Sequence, residues 1–152
     1  MILYLDASAL VKRYIVEAGS VEVNDAIAVA DSTGTGIISR AEVSAALAKA
    51  VRMKALTKDE AEGCLTLFRS QWADLVRIRA TEALVSRADS LAWEFNLRGY
   101  DAVHLAAAVL WQDSMGKPVT LATFDKPLWL AAQQLGLLPF PSNLQPFLAR
   151  SW

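Results

Sequence analysis

The chain has 152 residues, of which 54% are hydrophobic and 20% charged, so it has material for one compact domain and is not a disordered chain. Its net charge of −1 argues against nucleic-acid binding through bulk positive charge, so contact with RNA would need a local basic patch, metal ions or both. A single cysteine and a single histidine exclude an internal disulfide and an ordinary zinc site.

Short apolar runs alternate with helical segments, and no repeat or linker divides the chain. In chain order we predict a strand at 2–5, helices at 8–15 and 20–30, a strand at 36–38, helices at 40–53 and 57–72, a strand at 76–79, helices at 81–95 and 102–111, a strand at 119–123, a helix at 128–135 and a strand at 137–140. This alternation is typical of an α/β fold, in which helices cover both faces of a parallel sheet. We expect one domain over 1–152, with an apolar C-terminal tail at 141–152.

Polar residues mark the starts of three predicted helices. Ser39 with Glu42, and Thr57 with Glu60, have the spacing of a capping box. Thr81 is expected to cap the helix that follows it.

The N-terminus has no basic leader, and no apolar run approaches the roughly 20 residues that a membrane-spanning helix needs. We therefore expect a soluble cytoplasmic protein. The apolar fraction is slightly high for a monomer, which favours a homodimer.

Three acids are predicted to lie along one edge of the sheet. Asp6 ends the first strand, Glu42 lies in the first helical turn after the second, and Asp125 follows the fourth. Parallel strands joined by right-handed crossovers all end at the same edge, where α/β proteins bind ligands. Asp101 opens a buried helix after a turn, so periodicity does not place it. Taken alone, each of these acids is better explained as a helix cap or a capping-box acid.

Acids that converge in this way repel each other unless a cation joins them. A hard divalent ion such as Mg²⁺ or Mn²⁺ prefers oxygen ligands and would relieve the repulsion. One or two such ions can activate a water molecule and stabilise the leaving oxygen when a phosphodiester is cleaved. The acids therefore indicate metal-dependent phosphodiester chemistry.

Four segments resemble the motifs of PIN-domain ribonucleases of the VapC toxin family, and they occur in the family's order. They are MILYLDASALVK at 1–12, SRAEV at 39–43, YDAVHLA at 100–106 and LATFDK at 121–126. The resemblance extends from Met1 to about residue 138.

This resemblance implies a PIN-like three-layer α/β/α fold with about seven helices and a five-stranded parallel sheet of order 3-2-1-4-5. It implies a Mg²⁺- or Mn²⁺-dependent endoribonuclease that cleaves RNA and is held in check by a cognate VapB-like antitoxin. The catalytic metal ligands that it implies are Asp6, Glu42, Asp101 and Asp125. Ser8 and Thr123 match hydroxyls that steady the first and last acids through hydrogen bonds.

Other polar residues are assigned by their surroundings. His104 is predicted to be a core histidine, or one that supports an acid, rather than a ligand or general base. Cys64 is predicted to pack in the core. The candidates for contact with the RNA backbone are Lys12, Arg13, Arg40, Arg52 and Lys54, for which a solvated surface is an equal alternative.

Aromatic residues are mostly assigned to the core, with the C-terminus as an exception. The tryptophans at 72, 93, 111 and 129 have helical spacing. The tail residues Leu144, Phe147, Leu148 and Trp152 can dock on the protein itself, on a second subunit or on an antitoxin helix.

Two other functions remain open at this stage. A non-catalytic PIN-like module would bind only RNA or protein, and metal-dependent cleavage of RNA would exclude it. A metal-dependent phosphatase would use Asp6 as nucleophile, but Ser8 stands where such enzymes usually have a second acid. A serine hydrolase is disfavoured because no Gly-x-Ser-x-Gly elbow is present.

Overall fold

The computed structural model describes residues 1–148 and contains the expected five-stranded parallel sheet. Its strands are β1 (Ile2–Leu5), β2 (Ser32–Gly36), β3 (Val76–Ile78), β4 (Val119–Ala122) and β5 (Leu138–Phe140). The strand order is β3-β2-β1-β4-β5, and all four neighbouring pairs are parallel. The predicted fold class and sheet order are confirmed.

Helices cover both faces of the sheet. They are α1 (Ala7–Leu10), α2 (Ser20–Val29), α3 (Ser39–Arg52), α4 (Lys58–Gln71), α5 (Glu82–Phe95), α6 (Gly99–Met115), α7 (Lys126–Gln134) and α8 (Gln145–Leu148). Two 3-10 turns, Val11–Arg13 and Trp72–Asp74, extend α1 and α4. Within residues 1–148 there is one α-helix more than expected, because the start of the C-terminal tail forms α8.

Strand β1 separates two hydrophobic cores, because its side chains point alternately to opposite faces of the sheet. Tyr4 packs with Leu105 and Leu121 against α5, α6 and α7. Leu5 packs on the other face with Phe68, among the helices α1 to α4. All five residues are fully buried, so the central strand is held from both sides, as a parallel sheet requires.

The predicted position of the second strand is wrong by several residues. The strand occupies Ser32–Gly36, not 36–38, and it contains two glycines that sequence propensity disfavours in strands. A Cβ on Gly34 would lie 2.8 Å from the indole of Trp111, so the glycine lets α6 pack directly on the strand.

The capping box predicted for Ser39 and Glu42 is also wrong. Ile38 occupies the N-cap position of α3, and no side chain caps this helix. The buried Ser39 hydroxyl instead lies 2.7 Å from Thr35 Oγ1, and Glu42 is hydrogen-bonded to His104. The caps predicted at Thr57, with a full capping box, and at Thr81 are confirmed.

Two further differences concern α5 and α6. Helix α6 begins at Gly99, inside the segment predicted to be a turn. Trp72 and Trp111 are buried as predicted and Trp129 is partly buried, but Trp93 on α5 is 91% exposed. In the part of the chain that the structure describes, no helix is long and apolar enough to span a membrane.

The first part of the tail docks on the protein itself. Leu144 is buried, and the Phe147 ring packs edge-on against Phe124 at 5.3 Å between centroids. Trp152, the other aromatic residue of the predicted tail, lies outside the described residues.

Candidate active site

The four acids singled out in the sequence line one cavity at the carboxyl edge of the sheet. Asp6 directly follows β1, Asp125 stands at the N-cap of α7, and Glu42 lies in the first turn of α3. Asp101 reaches the same edge from the first turn of α6. The cavity has a volume of about 240 Å³ and is lined by Asp6, Ala7, Ser8, Glu42, Arg98, Tyr100, Asp101, His104, Phe124 and Asp125.

Asp6 is buried and is held by three hydrogen-bond donors. Its Oδ1 accepts from the Ser8 hydroxyl at 2.7 Å and from the backbone N–H of Ala9 at 2.9 Å, and its Oδ2 accepts from the Thr123 hydroxyl at 2.6 Å. Burial raises the pKa of Asp6, and the nearby His104 together with these hydrogen bonds opposes the rise. Asp6 is thus both a helix cap and a fixed member of the cavity wall.

The two hydroxyl residues also join Asp6 to the loop after β4. The Ser8 oxygen accepts from the backbone N–H of Phe124 at 3.0 Å. The Thr123 oxygen accepts from the backbone N–H of Asp125 at 3.1 Å. The hydroxyls therefore hold the Asp6 carboxylate and the backbone of the Asp125 loop in a fixed relation.

Asp101 and Asp125 share a single cation. The guanidinium of Arg98 donates from Nε to Asp101 Oδ2 at 2.9 Å and from an Nη nitrogen to Asp125 Oδ2 at 2.8 Å. Burial, followed by the charge of Asp125, raises the pKa of Asp101 to about 6, although Arg98 opposes this rise. Asp101 therefore ionises at a higher pH than an ordinary aspartate, mainly because it is buried and also because Asp125 is close to it.

Arg98 is the main site residue that the sequence analysis missed. It lies at the N-cap position of α6, three residues before Asp101, and its guanidinium also lies 4.9 Å from the centroid of the Tyr100 ring. The i, i+3 spacing of Arg98 and Asp101 indicates an ion pair on a helix, but Arg98 lies in the segment that the sequence predicts to be a turn. With Arg98 between the two aspartates, no three acid, histidine or cysteine side chains of residues 1–148 stand close enough to chelate an ion.

Glu42 is held by the histidine of α6. Glu42 Oε1 lies 2.6 Å from His104 Nε2, and the other ring nitrogen lies 2.7 Å from the Tyr4 hydroxyl. His104 is only 1% exposed. It is therefore a buried residue that contacts an acid of the cavity, one of the two environments predicted for it.

The five basic residues considered for RNA contact fall into two groups. Lys12 is largely buried and donates to Glu17 and to the Ala18 carbonyl, while Arg13 donates to Gln71. Arg40, Arg52 and Lys54 are exposed along and just after α3. Arg52 is ten residues from Glu42, which is roughly 15 Å along a helix.

The cavity suits chemistry that needs several negative charges close together and partly shielded from solvent. Asp6 and Asp101 are buried, and the side chains of Glu42 and Asp125 are 26% and 20% exposed. Among residues 1–148, the cavity is lined by no cysteine and by one serine, Ser8, which already has both a donor and an acceptor role. Binding of a cation, or of a cationic side chain, is what this set of oxygens can do best.

Comparison with known sequences gives relatives that span nearly the whole chain. It is similar to Ribonuclease VapC45 of Mycobacterium tuberculosis, with 35% identity over 149 residues that cover 95% of this chain and 99% of that protein. It is 34% identical over 136 residues to Ribonuclease VapC46 of the same species, covering 89% and 93%. A scan against models of protein families gives no match.

Solved structures share the fold. A toxin–antitoxin complex from Klebsiella pneumoniae matches with a TM-score of 0.59 and 20% identity, covering 82% of this chain and 87% of the matched one. The VapBC2 structure from Rickettsia felis, bound to a DNA fragment from its promoter, matches with a TM-score of 0.60 and 16% identity over 91% and 97% of the two chains. At these identities the comparison establishes the architecture.

Proposed function

Because the chain belongs to the VapC family of ribonucleases, we propose that its four carboxylates form the catalytic centre of a Mg²⁺- or Mn²⁺-dependent endoribonuclease, the toxin of a toxin–antitoxin pair. The observation that carries this proposal is the convergence of Asp6, Glu42, Asp101 and Asp125 on one cavity. Helix caps belong to separate helices and have no need to converge, whereas these acids line the same cavity.

The donor chemistry of the cavity fits a hard divalent ion, although within residues 1–148 no three of its acids are close enough to chelate one while Arg98 contacts Asp101 and Asp125. All four candidate ligands are carboxylates, and oxygen ligands are what Mg²⁺ and Mn²⁺ prefer. Burial raises the pKa of Asp6, and burial followed by the charge of Asp125 raises the pKa of Asp101, so a bound cation would stabilise the ionised form of both acids. Arg98 supplies part of that compensation and is 60% exposed, so its side chain has room to move away when an ion binds.

The chain's own residues bind and orient. Ser8 and Thr123 fix both oxygens of Asp6, Arg98 aligns Asp101 with Asp125, and His104 holds one oxygen of Glu42. A bound Mg²⁺ or Mn²⁺ would lower the pKa of a water molecule and balance charge on the scissile phosphate. The products of such cleavage would be a 5′-phosphate and a 3′-hydroxyl.

Contact with RNA is proposed for the exposed cations of α3. Arg40, Arg52 and Lys54 present positive charge on a chain whose net charge is −1. Lys12 and Arg13 have partners within the protein, so they would reach phosphate only by exchanging those partners.

A VapB-like antitoxin is the proposed partner of an apolar groove beside the active site. The groove has a volume of about 360 Å³, and Ser8 and Phe124 line both it and the acidic cavity. Its apolar lining includes Val11, Ile15, Ala46, Ala50 and Met53, and its polar lining includes Lys12 and Lys49. This chemistry suits an amphipathic segment that carries apolar anchors and an acid.

A homodimer is also proposed. The exposed Trp93 and Val85 on α5 are the apolar side chains that support it, because large exposed apolar side chains often mark contacts between subunits.

Two acid substitutions test the proposed activity. Asp6→Asn and Asp101→Asn should each lower Mn²⁺-dependent cleavage of RNA by more than the roughly 10–100-fold that loss of a supporting hydrogen bond costs. The matched control is Asp113→Asn, which changes an exposed acid near the other end of α6. Cleavage is measured on labelled RNA with Mn²⁺ or with EDTA, and circular dichroism reports the fold.

Three outcomes would contradict the proposal. Metal-dependent cleavage retained in both variants would remove the acids from the mechanism. An unchanged protein that binds RNA but never cleaves it would indicate the non-catalytic module. Release of phosphate from small phosphate esters without cleavage of RNA would indicate the phosphatase.

A further inference from the structure

His104 is the single histidine of the sequence, and it links the acidic cavity to the central strand. It lies on α6, with Glu42 of α3 on one side and Tyr4 of β1 on the other. The Tyr4 and His104 rings meet edge-on, with centroids 5.9 Å apart, and both residues are almost completely buried. His104 and Glu42 both line the acidic cavity.

The direction of these hydrogen bonds follows from the groups involved. A carboxylate can only accept, so the 2.6 Å contact with Glu42 requires a proton on His104 Nε2. In a neutral imidazole Nδ1 is then an acceptor, and the Tyr4 hydroxyl is the donor that faces it at 2.7 Å. A tyrosine hydroxyl is protonated at neutral pH, so Tyr4 has the hydrogen that it donates.

Gly36 gives the Tyr4 hydroxyl the space that it needs beside His104. A Cβ at this position would lie 2.8 Å from that oxygen and 3.5 Å from His104 Nδ1. The strand therefore approaches the tyrosine closely only because it carries glycine here. The glycine thus allows the hydroxyl to lie within hydrogen-bond distance of the histidine.

Glu42 needs such a partner more than the other acids do. Its side chain has one more rotatable bond than aspartate and loses more conformational entropy when it is fixed. Asp6 and Asp125 are anchored as helix caps, and Asp101 is paired with Arg98. Among the described residues, the hydrogen-bond partner of the Glu42 carboxylate is His104.

We propose, resting on the metal-dependent function above, that Tyr4 and His104 are positioning residues: Tyr4 fixes the Nε2-protonated tautomer of His104, which holds Glu42 Oε1 and leaves the second carboxylate oxygen for the metal ion. The pair acts through Glu42 and does not contact the substrate. Histidine and carboxylate supports of this kind orient ligands in metal sites and tune their affinity.

Nuclear magnetic resonance of the untagged, metal-free protein tests the tautomer. Because the chain has one histidine, its two ring nitrogens are the only imidazole signals and need no assignment by mutation. At neutral pH we expect a protonated Nε2 and an unprotonated Nδ1, and Tyr4→Phe should shift the Nδ1 signal and populate the other tautomer. A proton on Nδ1 in the unchanged protein, or a Tyr4→Phe spectrum identical to it, would overturn the proposal.

Two isosteric substitutions then separate positioning from packing. The amide nitrogen of Gln in His104→Gln takes the place of Nε2 and can still donate to Glu42, whereas Asn in His104→Asn reaches only the Nδ1 position, next to Tyr4. Calorimetric titration with Mn²⁺ should show His104→Gln within a few-fold of the unchanged protein and His104→Asn about 10–100-fold weaker. Thermal unfolding, recorded alongside, shows that both variants are folded.

The outcomes distinguish this inference from the function on which it rests. Equal Mn²⁺ affinities for the two variants, whether normal or weakened, would assign His104 to packing and leave the ribonuclease proposal standing. Failure of the unchanged protein to bind Mn²⁺ would overturn the metal-dependent function and the positioning role together.

Discussion

At the level of single residues, Arg98 supplies positive charge that the acidic cavity would otherwise lack. Its guanidinium contacts Asp101 and Asp125 at 2.9 and 2.8 Å, so it occupies the gap between two of the proposed ligands. The side chain is 60% exposed, which means that water screens both pairs and that displacing the arginine costs little. A metal ion and this arginine therefore compete for the same two carboxylates.

Replacement of Arg98 should thus strengthen metal binding. For Arg98→Gln we expect a few-fold lower Kd for Mn²⁺, because exposed ion pairs contribute about 0.2–1 kcal/mol each. The control is Arg87→Gln, which breaks the exposed pair with Asp113 away from the cavity and should leave the Kd unchanged. Calorimetric titration measures both, and weaker binding in Arg98→Gln would show that the arginine supports the metal site instead.

At the level of helices and strands, the elements predicted from the sequence are correct where local chemistry agrees with the fold. Thr57 and Thr81 cap helices as predicted, and the apolar strand β1 has its predicted bounds. The predicted elements are wrong where tertiary contacts determine the structure. Strand β2 carries glycines because Trp111 and Tyr4 approach it from α6 and β1, and no local signal reports that approach.

The site residues that the sequence predicts are those whose position follows from the topology of the sheet. Asp6, Glu42 and Asp125 follow strands, so topology alone puts them at one edge. Asp101 follows the predicted turn and Arg98 lies within it, and both reach the site through the packing of α6 across β2 and β4, which periodicity does not encode. The resemblance to the family's motifs identified Asp101 as a site residue. Arg98 lies outside those motifs and was not predicted.

Two glycine substitutions with opposite expected signs test the account of β2. In Gly34→Ala the new methyl group would lie 2.8 Å from the Trp111 ring and 2.9 Å from the Val76 carbonyl oxygen, so we expect a loss of about 1–3 kcal/mol of unfolding free energy. In Gly63→Ala, within α4, nothing lies within 4 Å, and we expect a gain of roughly 0.5–1 kcal/mol from helix propensity. Urea unfolding of both variants measures the difference, and a stable Gly34→Ala protein would contradict the close approach of α6.

At the level of the whole molecule, ionisation of the acidic cavity lowers the stability of the metal-free fold, although metal binding needs the ionised carboxylates. The pKa of Asp101 is raised to about 6 in the folded protein, mainly by burial and then by Asp125, from an ordinary value of 3.8. A folded-state pKa above the unfolded value stabilises the fold when the group is protonated. That contribution is complete below about pH 3.8 and is lost as the pH rises through 6, so ionised Asp101 weakens the metal-free fold at neutral pH.

Stability and metal affinity should therefore change with pH in opposite directions. Relative to Asp101→Asn, the metal-free protein should lose on the order of 3 kcal/mol at most between pH 4 and pH 7. Mn²⁺ binding, which needs the ionised carboxylate, should weaken about 10-fold for each pH unit below 6. Thermal unfolding and calorimetric titration across this range measure the two effects, and a constant stability difference between the proteins would contradict the raised pKa.

The hydrogen bond from Thr123 to Asp6 joins residues that are 117 positions apart. Because the ribosome adds residues from the N-terminus onward, Asp6 acquires its full set of partners only after Thr123 has been added. A nascent or prematurely terminated chain that stops before Thr123 lacks that hydroxyl and also Asp125. The order of synthesis therefore delays assembly of the acidic cavity until the chain has passed Asp125.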